Sequence, residues 1–200
     1  RPAPSTEDVL PTIRSRCRHL QLATPSNAEV AEALGRSFGV DPAMAAFAAR
    51  AAQGHIGRAR ALATSEEARL RRQDVLRIPT QLHDLGSCLA LAADLVATVN
   101  DDSNAICDPL DEREMAQLRA AYGEGAEGRG IGTVERRAKG AVKALEDRQK
   151  KRRRRVVRDQ LDRAIVDLIA FYRDVLVLQL GAASQLVNDE MRPQLERCAA

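Results

Sequence analysis

Apolar residues recur at helical spacing along most of this chain, and only residues 18–22 alternate polar and apolar side chains as a short strand would. In residues 24–64 the pattern predicts three short helices, bounded by Gly39, by the helix-starting pair Asp41-Pro42 and by Gly54. The positions predicted to face inward are Val30, Ala33, Leu34, Phe38, Met44, Phe47, Ala48 and Ala51. The sequence therefore predicts a mainly α-helical fold.

Longer helices are predicted in the second half of the chain. One runs from Pro79 to about Thr98, a polar break follows at residues 100–104, and another helix covers residues 110–122. Residues 123–132 are too rich in glycine for regular structure, and the next helix extends from about Thr133 to Leu180. Residues 69–73 are predicted to be a charged connector. The inward positions of these helices are Leu82, Leu85, Leu89, Ala92, Ala93, Val96, Val157, Leu161, Ala164, Ile165, Leu168, Phe171, Tyr172, Val175 and Leu176.

Composition supports packed helices, because aromatic residues make up only 2% of the 200 residues and the cores must consist of Ala, Leu, Val and Ile. The net charge of +3 does not by itself indicate nucleic-acid binding. Cys17, Cys88, Cys107 and Cys198 form no CxxC pair, so we expect no zinc site and reduced, mostly buried thiols. No signal peptide or long uncharged apolar run is present, which predicts a cytoplasmic protein without a membrane partner.

A run of six basic residues lies in the long predicted helix and consists of Lys150, Lys151, Arg152, Arg153, Arg154 and Arg155. Consecutive helical residues point in all directions, and no aromatic residue is interleaved to stack on a base. The run is either a solvated surface or a contact for nucleic-acid phosphates or an acidic partner. A free-standing helical module that binds nucleic acid or regulates a partner through this run is therefore an alternative function.

Three stretches resemble one family. Residues 10–17 read LPTIRSRC, residues 54–59 read GHIGRA, and residues 158–162 and 172–176 read RDQLD and YRDVL. In this order they resemble the SRC motif, the sensor 2 motif and the collar of clamp-loader AAA+ subunits of bacterial DNA polymerase III, most of all the delta-prime type. The resemblance implies the end of an AAA+ nucleotide-binding domain in residues 1–23, a three-helix lid in 24–65, and a helical collar in 66–200 with a glycine-rich insertion at 123–132.

The resemblance also implies a function. The SRC motif would be Ser15, Arg16 and Cys17, with Arg16 as an arginine finger that reaches in trans to ATP and magnesium on a neighbouring subunit. Arginine suits this role because its planar, permanently charged guanidinium can contact two phosphoryl oxygens. The implied partners are other clamp-loader subunits in a hetero-oligomeric ring and, through that ring, the sliding clamp and primed DNA during replication. Alternatively, Arg16 is an ordinary solvated arginine.

The chain has no GxxxxGK[ST] loop, so we expect no cofactor and no ATPase activity of its own, although the polymerase III holoenzyme is an enzyme. Its first residues look like the interior of a longer chain. In the family an arginine follows the first sensor 2 glycine by three positions, but that position is Gly57 here, so no nucleotide-sensing role is transferred. His55 is predicted to be a polar residue at a helix start.

Overall fold

A computed structural model describes residues 9–18, 20, 23–122 and 131–200, without the side chains of 131–138. Every regular element in these residues is a helix, which confirms the mainly α prediction. The chain forms two compact units, Arg1–Glu66 and Glu67–Ala200. Residues 1–8 and residues 123–130 of the predicted insertion lie outside the described residues. So do three residues of the predicted strand, whose described members Arg18 and Leu20 are in no regular element.

The first unit contains helices α1 (Pro11–Arg14), α2 (Asn27–Phe38), α3 (Pro42–Ala52) and α4 (Ile56–Thr64). Helix α3 packs against both α2 and α4. Small side chains let helix axes approach closely, and most of the core between these three helices is alanine. The buried residues are Val30, Leu34, Ala45, Ala48, Ala49, Ala51, Ala52, Ala59 and Leu62.

Local capping explains where α2 and α3 begin. Ser26 and Glu29 form a capping box at the start of α2, and the Ser26 hydrogen bonds lower the pKa of Glu29. The Asp41 carboxylate accepts hydrogen bonds from the backbone N–H groups of Ala43 and Met44 at 2.9 and 3.2 Å. At the end of α2, Gly39 adopts the left-handed conformation that stops a helix.

Four inward positions predicted for the first unit are wrong or only partly right. Phe38 is 46% exposed, and Ala33, Met44 and Phe47 are half-buried. Phe38 is the last residue of α2, and the guanidinium of Arg60 lies 5.1 Å above its ring. The ring is therefore covered by a cation–π contact rather than by the alanine core.

Gly54 has a positive φ of +85°, and a Cβ there would clash with the Thr24 methyl and lie 3.3 Å from the Pro25 carbonyl oxygen. Gly39 also has a positive φ, +62°, but a Cβ there would meet nothing within 4 Å. We expect Gly39→Ala to lower the free energy of unfolding by about 1–2 kcal/mol, the cost of a left-handed residue. Gly54→Ala should cost more, because the clash adds to that cost. Thermal unfolding of both variants measures the difference, and equal losses would contradict the contact with Thr24 and Pro25.

The second unit contains α5 (Glu66–Arg77), a 3-10 turn (Ile78–Gln81), α6 (Leu85–Tyr122), α7 (Ile131–Gln179), a second 3-10 turn (Asp189–Met191) and α8 (Arg192–Ala199). Helices α6 and α7 pack side by side over much of their length. Ser103 contacts Gln160, whereas Glu114, further along α6, contacts the earlier residue Gln149. The two helices are therefore antiparallel and form one long hairpin.

Helix α6 passes without interruption through residues 100–104, so the predicted break there is wrong. Ser103 is buried and donates its hydroxyl to the Val99 carbonyl oxygen at 2.7 Å. Asn104 accepts a hydrogen bond from Arg153 of α7, and Asp102 pairs with Arg71 of α5 at 2.7 Å. Ser103 bonds the backbone one turn earlier in α6, as serine can within a helix, whereas Asn104 and Asp102 have partners on other helices and do not compete with the α6 backbone.

The prediction of a charged connector is also wrong, because that segment belongs to α5. Arg72 is only 6% exposed, and Leu76, one turn later, is fully buried. Leu76 joins the apolar core formed where α5, the end of α7 and α8 meet. The other members of this core are Phe171, Val175, Leu186, Met191 and Leu195.

The Arg72 guanidinium lies within this core and contacts three side chains. Its Nε donates to Asp167 Oδ1 at 3.2 Å, one terminal nitrogen donates to Glu190 Oε1 at 2.6 Å, and the other donates to Asn188 Oδ1. Asn188 in turn donates its side-chain and backbone N–H groups to Asp174 Oδ2 at 2.9 and 2.7 Å. One network thus connects α5, α7 and the segment before α8.

Arg72→Met should destabilise the second unit by about 3–5 kcal/mol, because it leaves buried polar and charged partners without the cation that neutralises them. The control is Arg77→Met on the same helix, whose ion pair with Asp74 is exposed on both sides and should be worth at most about 1 kcal/mol. Chemical denaturation of both variants gives the two losses. Similar values would mean that the buried network contributes no more than a surface pair.

Candidate functional site

The residues of the SRC triplet lie in an exposed turn directly after α1. Ser15 donates its hydroxyl to the Thr12 carbonyl oxygen at 3.2 Å, and the Arg16 backbone N–H donates to the Ile13 carbonyl oxygen at 3.1 Å. Arg16 and Cys17 are exposed, and no carboxylate in the described ranges forms an ion pair with the Arg16 guanidinium. The backbone of the turn is thus fixed by hydrogen bonds, while the arginine head group can contact another molecule.

The stretch that resembles sensor 2 forms the start of α4. His55 is its N-cap, and the imidazole Nδ1 accepts a hydrogen bond from the Arg58 backbone N–H at 3.0 Å. This confirms the structural role predicted for His55. Gly57 is exposed and a Cβ there would meet only the His55 ring, whereas a Cβ at Gly54 would meet Thr24 and Pro25 in the segment before α2.

The basic run of α7 is divided between two environments. Arg152 and Arg153 face the acidic side chains of α6. Arg152 donates to both carboxylate oxygens of Glu114 at 2.7 and 2.8 Å and also contacts Asp111. Arg153 donates to Asp108 at 2.6 Å and to Asp111 at 2.9 Å. These two arginines therefore connect the helices of the hairpin.

Lys150, Lys151, Arg154 and Arg155 of the same run are exposed. Sequence reasoning treated all six basic residues alike and missed the partners of the central pair. A signal was present, since Asp108, Asp111 and Glu114 recur every three residues and place three carboxylates along one side of a helix.

These contacts change the acidity of the groups involved. Hydrogen bonds from Arg152, opposed by burial and assisted by Gln149, lower the pKa of Glu114 from 4.5 to about 2. The Glu114 and Asp111 carboxylates raise the pKa of Arg152, and Asp108 and Asp111 raise that of Arg153. Glu114, Arg152 and Arg153 are therefore charged at neutral pH.

Two strips of apolar side chains are exposed on the hairpin, although the sequence predicted most of them to be buried. Leu85 of α6 is 74% exposed and Ile169 of α7 is 62% exposed. We call Leu85, Leu89 and Val96 the α6 apolar strip, and Ile165, Ile169, Tyr172 and Leu176 the α7 apolar strip.

The four cysteines are free and differ in exposure. Cys17 and Cys88 are exposed, Cys198 is half-buried and Cys107 is buried, so the prediction of mostly buried thiols is wrong. Within the described ranges, no three His, Cys, Asp or Glu side chains come together in a way that could hold a metal ion. None of the helices in those ranges has the length and apolar character needed to cross a bilayer.

No family model, curated protein or solved structure matches this chain. The exposed groups described above are therefore the features that can indicate a function. Three of them stand out from an ordinary solvated helix surface: the Arg16 turn, the exposed part of the basic run, and the two apolar strips.

Glu114 makes the hairpin sensitive to acid. Its folded pKa of about 2 lies below its usual value of 4.5, so its contribution to stability is complete above about pH 4.5 and is lost as the pH falls toward 2. Glu114→Gln should therefore be less stable than the wild type at pH 6, and the difference should shrink between pH 4.5 and 2. Thermal unfolding across this range measures it. The exposed Glu112, changed to Gln, is the control and should show a much smaller difference at every pH.

Proposed function

We propose that this chain is the C-terminal portion of a delta-prime-type subunit of the bacterial DNA polymerase III clamp loader. In this role it helps an ATP-driven ring of subunits to load the sliding clamp onto primed DNA. The observation that carries the proposal is the Arg16 turn, in which an exposed guanidinium follows a short helix within the SRC triplet. The resemblance of residues 10–17 to the family motif gives that guanidinium its role.

Arg16 would act on ATP held with magnesium by a neighbouring subunit. Hydrogen bonds to the Thr12 and Ile13 carbonyl oxygens hold the turn in place, so reaching the phosphates needs no rearrangement of the backbone. A guanidinium remains protonated throughout and can donate two parallel N–H bonds to phosphoryl oxygens as negative charge redistributes in the transition state. This chain would supply the arginine and its neighbour would supply the nucleotide site.

The rest of the chain agrees with this proposal. Helices α2, α3 and α4 fit the three-helix lid of such a subunit, and the second unit fits a helical collar. A collar joins subunits through helix surfaces, and the α6 and α7 apolar strips are surfaces that water solvates poorly. Burying one leucine or isoleucine side chain at a subunit contact contributes roughly 1.5–3 kcal/mol.

Arg16→Ala tests the proposal in a full-length subunit assembled with its ATP-binding partners. ATP hydrolysis stimulated by DNA and the clamp should fall, because an arginine finger contributes about a thousand-fold or more at the one site it serves. Ring assembly should persist, since the SRC turn is exposed and buries no core residue. Arg16→Lys should restore little activity, because a single ammonium does not reproduce the guanidinium fork.

The matched control is Arg14→Ala, which removes an equally exposed arginine two residues away at the end of α1. The proposal requires this variant to retain hydrolysis close to the wild type. If both alanine variants hydrolyse ATP at the wild-type rate, Arg16 is not a finger. If both slow it equally, the effect comes from local positive charge and not from the SRC position.

A further inference from the structure

The solvent side of α7 carries a one-sided row of positive charges, and of these Arg148 also attracts the Glu114 carboxylate of α6. Arg148, Lys151, Arg154, Arg155 and Arg158 are all exposed and recur at spacings of three and four residues. Residues at these spacings lie on the same side of a helix. We call these five residues the outer basic stripe, and we propose that it binds the phosphate backbone of a nucleic-acid duplex.

The stripe is unneutralised because of how α6 and α7 pair. The α6 carboxylates Asp108, Asp111 and Glu114 contact Arg152 and Arg153. None of Lys151, Arg154, Arg155 and Arg158 forms an ion pair with a carboxylate in the part of the chain that the structure describes. The hairpin thus uses the inward members of the basic run for its own stability and leaves the outward members free.

Acidic residues limit the stripe along the helix. Asp147 precedes Lys151 by four residues and Asp162 follows Arg158 by four, and both are exposed. Asp159 lies four residues beyond Arg155 and is exposed as well. The positive surface is therefore a segment of about three helical turns and not a property of the whole helix.

The length of this segment suits a phosphate backbone. The ten residue steps from Arg148 to Arg158 span roughly 15 Å along a helix axis. Phosphates recur about every 3.4 Å along one strand of a duplex, so a stretch of this length faces about four of them. Five basic side chains then match about four phosphates, with four of the five being arginines that can contact phosphate oxygens through two N–H groups.

The chemistry of the stripe favours a duplex over an acidic protein or a single strand. No apolar side chain lies among its five members, so a protein partner would gain only exposed ion pairs, which water and salt screen. No aromatic side chain is present to stack on unpaired bases. Binding to a duplex is instead favoured by release of the counterions condensed on its phosphates, and for this the protein needs only positive charge. Binding should be independent of sequence, weak and strongly dependent on salt.

This inference stands apart from the proposed clamp-loader function, since it concerns a different unit and different residues from Arg16. Either can fail while the other holds. Within a clamp loader the stripe would be an additional DNA contact, and in a free-standing helical module it would be the main one.

The test uses the full 200-residue chain, fluorescently labelled 20-base-pair DNA and RNA duplexes, and anisotropy at 50 and 200 mM NaCl. With about four phosphates neutralised, the affinity should fall on the order of 100-fold between these two salt concentrations. A variant with four stripe residues changed should lose at least about ten-fold in affinity at 50 mM NaCl. Its changes are Lys151→Gln, Arg154→Gln, Arg155→Gln and Arg158→Gln.

The control variant changes the net charge by the same amount at exposed arginines outside the stripe, and it should bind nearly as well as the wild type. Its changes are Arg36→Gln, Arg77→Gln, Arg113→Gln and Arg197→Gln. Circular dichroism confirms that both variants are folded. The duplex that binds more tightly identifies the nucleic acid involved.

Three outcomes would overturn the proposal. Equal losses of affinity in the two variants would show that binding depends on net charge alone. Absence of duplex binding at 50 mM NaCl would show that a duplex is not the ligand. Tighter binding of a labelled poly-glutamate peptide than of either duplex, lost in the stripe variant, would assign the stripe to an acidic protein segment.

Discussion

Arg72 is the residue on which the second unit depends. A guanidinium at 6% exposure is stable only when its N–H groups have partners, and Asp167, Glu190 and Asn188 provide them. Because these partners belong to α7 and to the segment before α8, the arginine also fixes where α5 and that segment lie on the end of α7. The apolar core around Phe171 then packs between helices whose positions are set by the contacts of Arg72.

The same principle operates further along the hairpin, where Arg152 and Arg153 bind the α6 carboxylates. In both places pairs of an arginine and an acidic residue hold helices together, a role that large apolar residues have in other helical proteins. This agrees with the low aromatic content of the chain. The charged and apolar side chains that these contacts leave exposed are the ones of functional interest. Charge used inside the hairpin is unavailable outside it, and apolar side chains not covered by the hairpin are available to a partner.

Local signals predicted the first unit well, because caps such as Ser26, Asp41 and Gly39 act within a few residues. The second unit was harder to predict, since several of its errors concern partners distant in sequence. Asn104 resembles a helix end until Arg153 is seen beside it, and Arg72 resembles a linker residue until its network is known. Arg16 lies in an exposed turn after a short helix, and its proposed role comes from the resemblance of residues 10–17 and not from that exposure.

Helix α7 is 49 residues long and carries both the outer basic stripe and the α7 apolar strip. The centres of these two surfaces are about 17 residues apart, or roughly 26 Å along one continuous helix. Two molecules bound there would be held at a fixed spacing and a fixed angle about the axis of one rigid helix. If one of them tilted, the helix would tilt with it and would move the other, without any change in the fold of the helix that joins them.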